Sequence, residues 1–271
     1  MKLKPGKLWL MAVCGTLLAA VASAQNAPPV STNAASVDTY LRQGGKLIKD
    51  QPAEALKAFE QAAALDPNNE SAVIGQYITL VQLKRVDDGA KVLDAWVAAK
   101  PDDPRRWLVK GMAEAQTDRP AAALKSFEKL AQLQPDEGEN WIGTGQCLVA
   151  LNRNEEALQA FDKALKMRPE RIDVWSDKGV VQARLGKYDD AIKSCNKAIE
   201  LLPKDDANYA SAMADRTYSR ACVYALKGDK ANALADLKQA IELNRSFKSR
   251  APKDGDFKSL YNDPDFKKLT E

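Results

Sequence analysis

The chain has 271 residues, 45% hydrophobic and 28% charged, a length for one large domain, two small ones or a repeat array and a balance that excludes a disordered chain or a membrane bundle. Histidine is absent, which removes every chemistry that needs an imidazole as base, nucleophile partner or metal ligand. Lysine and arginine total 40 against 37 acids; with Lys2, Lys4 and Lys7 in a segment expected to be cleaved, the mature chain is formally neutral and carries no basic run to hold nucleic acid or an anionic membrane surface.

Residues 1–24 read as a secretory signal: a basic start, an apolar run from Leu8 to Val21, and Ala22-Ser23-Ala24 as a small-residue cleavage site between Ala24 and Gln25. The apolar run is too short to anchor the chain, because spanning a bilayer takes about 20 residues. Val13 before Cys14 is too large for a lipoprotein signal. The expected address is the periplasm or the outside of the cell, with no stable membrane insertion after cleavage. Residues 25–35, rich in Pro, Ser and Asn, read as a flexible lead-in.

From there a period of 34 residues runs down the chain. Prolines recur at Pro67, Pro101, Pro135, Pro169 and Pro203, and small residues at Ala55, Gly89, Ala123, Ala157 and Ala191. Four positions after each small residue comes Phe59, Leu93, Phe127, Phe161 or Cys195, and Trp107, Trp141 and Trp175 are each followed four residues later by glycine. Apolar residues at helical spacing (Ala157, Leu158, Phe161, Ala164, Leu165 and Trp141, Ile142, Gly145, Leu148) predict two amphipathic helices per unit. Small residues suit the close approach of the two backbones. The recurring proline ends the second helix, and Asp103-Pro104 predicts a capped helix start.

The pattern Trp141, Gly145, Leu148, Ala157, Phe161, Ala164, Pro169 resembles the tetratricopeptide repeat. That resemblance implies an all-α, right-handed superhelical solenoid of antiparallel helix pairs, with six units at 36–69, 70–103, 104–137, 138–171, 172–205 and 214–247. Three departures are local. The first unit is one residue short, the second carries Val73 and Tyr77 for tryptophan and glycine, and Trp96 stands where the repeat usually holds a small residue.

Eight extra residues precede the sixth unit. The stretch from Asp206 to Lys227, free of Gly and Pro, predicts one helix of about 20 residues. Residues 248–271 are expected to cap the array through Phe257, Leu260, Phe266 and Leu269, since repeat arrays expose an apolar face at each end. The acids before each Phe lack the alternating-ligand loop of a calcium site and read as helix caps.

No catalytic motif, cofactor loop or metal-ligand pattern is present in the sequence. Cys147, Cys195 and Cys222 remain after cleavage; Cys195 reads as a core residue, with a bond between Cys195 and Cys222 as the alternative. The resemblance implies a concave groove lined by first helices at Ile74, Ile78, Leu108, Met112, Ile142, Gln146, Ser176, Val180 and Tyr218, with Gln116 and Arg184 nearby. The lining is mostly apolar. The expected function is a non-enzymatic scaffold or adaptor holding a protein or peptide segment for an envelope or extracellular assembly; the alternative is a self-associating structural protein, a homo-oligomer.

Overall fold

The computed structural model describes residues 32–271, with side chains from Ser36 onward. The expected leader, the Ala24–Gln25 cleavage pair and most of the expected lead-in lie outside the described residues. The described chain is helical and divides into two compact units, one ending at Gln134 and the other running from Pro135 to Glu271. Among the described residues no helix is long and apolar enough to cross a membrane.

The first unit contains α1 (Thr32–Leu47), α2 (Pro52–Leu65), α3 (Glu70–Gln82), α4 (Val86–Ala99), α5 (Pro104–Gln116) and α6 (Pro120–Leu133). Helix α1 begins inside the expected lead-in, where no proline follows Pro29 and Ala34-Ala35 favours helix. Starts are set chemically. Asn69 accepts the Ala72 N–H, Asp103 accepts the Arg105 N–H, each at 3.0 Å, and Pro52, Pro104 and Pro120 open their helices where no N–H partner is needed.

The second unit contains α7 (Gly138–Ala150), α8 (Asn154–Met167), α9 (Ile172–Arg184), α10 (Tyr188–Glu200), α11 (Tyr209–Lys227) and α12 (Lys230–Leu243). It closes with α13 (Ser246–Arg250), two 3₁₀ turns over Ala251–Lys253 and Gly255–Leu260, and α14 (Pro264–Thr270). Helix α11 has 19 residues against 13 in α9, but starts at Tyr209 rather than Asp206. The intervening residues form a turn in which Asp206 accepts the Asn208 N–H at 2.7 Å.

From α3 onward, the first helices end in one way. Lys84, Asp118, Asn152 and Gly186, spaced by 34 residues, take the left-handed conformation, as does Gly228. At each, the next residue's N–H reaches back five positions, as Arg85 does to Leu80 and Lys187 to Gln182 at 2.9 Å or less. This closure satisfies the last carbonyls and turns the chain into the second helix.

Between paired helices the recurring Phe meets the recurring Gly. Phe59 of α2 is fully buried between α1 and α3, so close that a Cβ on Gly44 or Gly75 would lie 2.7 or 2.4 Å from its ring. In the second unit a Cβ on Gly145 would lie 2.5 Å from Phe161. Glycine here is a packing requirement, since any side chain would separate the helices. Burying one such Phe contributes about 1.5–3 kcal/mol.

Several polar groups inside the pairs are matched. Ser126 donates to the buried Glu114 carboxylate at 2.7 Å, and two periods later Ser194 donates to Gln182 at 2.7 Å. The Tyr77 hydroxyl donates to the Ala113 carbonyl at 2.8 Å, tying α3 to α5. Arg106, 3% exposed, donates to the Trp96 carbonyl and to Asn68 and lies over the Trp96 ring, so the large residue in a small-residue column is anchored by a buried cation.

Residues 248–271 pack on α11 and α12: Phe257, Leu260 and Phe266 are buried and Leu269 is half-buried. Tyr218 of α11 stacks on Phe247 at 4.3 Å and meets the edge of Phe257 at 5.6 Å. Asp254 and Asp263 do act as caps, accepting the Asp256 N–H and the Asp265 and Phe266 N–H groups.

Candidate functional site

The exposed face of the first helices is distinct in each unit. In the first unit Leu108, Met112 and Gln116 stand at four-residue intervals on α5 and share one face of it; all three, and Ile78 on α3, are half-buried. The Gln116 Nε2 is shielded from solvent and makes no hydrogen bond. Ile74, expected on the groove, is instead 2% exposed and belongs to the core with Val37, Leu41 and Phe59, because its side of α3 meets α1 and α2.

In the second unit Ser176, Val180 and Arg184 form the equivalent stripe on α9, each half-buried. The Ser176 hydroxyl donates to its own helix at the Ile172 carbonyl, 2.9 Å away, which leaves little of it for register. Ile142 is fully buried, in a helix enclosed around most of its circumference from Ile142 to Val149. Tyr218 is buried as well, its ring taken by Phe247 and Phe257 and its hydroxyl by Asp254. Neither lines an open face, since both side chains are consumed by packing.

Two residues absent from the sequence reading complete this face. Gln146 donates to the Asp177 Oδ2 at 3.2 Å. Burial pushes the Asp177 carboxyl up to about 6, against the pull of the Gln146 hydrogen bond and of Arg216 and Arg184. The Arg216 Nε on α11 is shielded and makes no hydrogen bond. Burial lowers the Arg184 guanidinium, while Asp177 and Asp256 oppose that shift. The repeat pattern conceals Asp177 because it follows the stripe residue Ser176 directly, and Arg216 because it lies in the long helix where the period breaks.

The three repeat tryptophans share one arrangement. Trp107, Trp141 and Trp175 are half-buried, and each indole N–H donates to the carbonyl of the proline six residues earlier, Pro101, Pro135 and Pro169, at 2.7–3.0 Å. The Cys195–Cys222 bond is not formed: both are free, buried thiols. They face different clusters, Cys195 packing with Ala183, Ala191 and Val223, and Cys222 with Tyr218, Leu237 and Phe257.

Three tetratricopeptide repeat family models match the chain, one over 46–113, one over 108–172 and 144–206, and one over 217–247, together more than half of its length. No curated protein gives a significant match. Among solved structures, the chain is similar to MamA 41-end from Desulfovibrio magneticus RS-1, with 20% identity, 64% of this chain and 98% of that chain covered, and a TM-score of 0.52. A MamA RS-1 double mutant gives 19% identity, coverage of 64% and 97%, and a TM-score of 0.52. At such identities the likeness is one of fold.

Proposed function

Because the chain belongs to the tetratricopeptide repeat family, we propose that it is a non-enzymatic scaffold, exported and working in the periplasm or outside the cell, that holds a protein or peptide segment against the exposed face of its first helices. The observation that carries this reading is the α5 stripe. Leu108 and Met112 present apolar surface in line with Gln116, whose shielded amide nitrogen has no acceptor within the chain. In the second unit Arg184 and Asp177 add charge to the same kind of face beside Val180 and Gln146, which supports selection among partners more than raw affinity.

The test is affinity capture of the tagged chain after crosslinking in its native compartment, beside a Met112→Glu, Val180→Glu variant. Partners lost from the variant, with unchanged helicity by circular dichroism, support the scaffold reading. Recovery of the same partners from both chains contradicts the assigned face. Recovery of the chain alone from both replaces a foreign partner with self-association.

A further inference from the structure

Three potential ligand groups converge in the second unit although 32 residues separate the first from the second. Cys222, fully buried in α11, and Asp254 and Asp256, at the entry to the 3₁₀ turn Gly255–Leu260, each offer one ligand atom, and these atoms all lie within 4.8 Å of one another. We propose that Cys222, Asp254 and Asp256 form a binding site for a borderline divalent cation of the zinc class, separate from the first-helix face.

The donor set fits. Such ions take thiolate sulfur at about 2.3 Å and carboxylate oxygen at about 2.0–2.2 Å, which places neighbouring donors on the order of 3.5 Å apart around a tetrahedral ion. A thiol beside two carboxylates selects this class over calcium, which takes oxygen alone.

The surroundings have the form of a supporting shell. The Asp254 Oδ2 accepts the Tyr218 hydroxyl at 2.9 Å and its Oδ1 accepts the Asp256 N–H at 3.3 Å. These bonds orient the carboxylate and leave further lone pairs available, as outer partners do for ligating carboxylates. Cys222 is buried with no hydrogen bond of its own, so its sulfur is uncommitted within 4.8 Å of both acids.

Arginines also act on the two acids. The Arg250 Nε stands 3.9 Å from Asp254, beyond hydrogen-bond reach, with the guanidinium over the Tyr218 and Phe247 rings. Arg184 acts on Asp256 through charge. Three anionic ligands against a dication leave one net negative charge for these arginines to offset. On binding, the Cys222 S–H bond breaks, its proton passes to solvent, and the sulfur lone pair forms the metal bond with no change of oxidation state. Because binding releases that proton, uptake is expected to strengthen as pH rises.

The test is titration of the full chain, purified metal-free and reduced, with Co²⁺ and then Zn²⁺. One equivalent of Co²⁺ is expected to produce a thiolate-to-cobalt charge-transfer absorption that Zn²⁺ abolishes. That band should disappear in Cys222→Ser and persist in Cys14→Ser, Cys147→Ser and Cys195→Ser, while Asp256→Asn, close to isosteric, should weaken Co²⁺ binding at least tenfold with an unchanged circular dichroism spectrum. An absent band, a band that survives Cys222→Ser, or an affinity indifferent to Asp256→Asn overturns the proposal.

Discussion

The first and second units solve one packing problem with different chemistry. In the first, the pivotal column is Phe59, Leu93 and Phe127, all 0–1% exposed. In the second, Phe161 keeps that role but Cys195 takes the next place, with its sulfur 3.1 Å from where a Gly179 Cβ would stand. A thiol fills less space than a ring, and polar pairs supplement the packing there. Arg220 grips Asp236 through two hydrogen bonds of 2.7 and 2.8 Å and also donates to Asn196 at 2.6 Å, joining α11 to α12 and α10. A repeat period thus conserves the separation of helices while leaving open what fills it.

The largest effect should come from breaking the aromatic solution. Phe59→Ala is expected to destabilise the first unit by about 3–5 kcal/mol, because Gly44 and Gly75 offer no side chains to refill the cavity. Cys195→Ala should cost no more than about 1–2 kcal/mol, scaled to the smaller volume removed. Urea unfolding checks both, and equal losses would erase the contrast. Next, Arg220→Ala should cost about 2–3 kcal/mol, chiefly by leaving Asp236 buried without its partner. Asp236→Asn in the same background should recover part of that loss.

Smaller effects are expected from titration and from helix ends. Asp177, whose folded carboxyl sits near 6 against an ordinary 3.8, holds its proton more tightly folded than unfolded. Its contribution is therefore most favourable below pH 3.8 and is lost as pH rises from there through 6. Asp177→Asn should remove that decline and raise stability at pH 7 by on the order of 1 kcal/mol; melting curves at pH 4.5 and 7 decide the sign. The smallest change is at a helix end: Lys84, a non-glycine residue at φ 61°, should give about 0.5–1 kcal/mol of added stability on conversion to Gly. Gly186, the same turn position in the second unit, should lose a similar amount on conversion to Ala, since its φ is 73°.

The helical fold was legible because its determinants are local and recur: Pro104 after a capping Asp103, Gly145 opposite Phe161, turn residues where the chain reverses. The site was less legible. Ile74, Ile142 and Tyr218 occupy positions that the repeat pattern turns outward, yet each is buried by neighbours that the pattern does not specify. Tyr218 shows why most clearly, for its partners Phe247, Phe257 and Asp254 all come from beyond the last helix pair. The approach of Asp177 to Arg216, and of Cys222 to Asp254 and Asp256, depends on tertiary packing across a break in the period. No spacing rule encodes such encounters.

Partners are expected to contact the first helices. A photoactivatable phenylalanine analogue placed singly at Met112 or Val180, and as controls at the exposed second-helix positions Glu128 and Glu155, tests it most directly in the native compartment. Crosslinks to another protein are expected from positions 112 and 180 and none from 128 or 155. Crosslinks confined to the second-helix positions, or joining only copies of this chain, would contradict it.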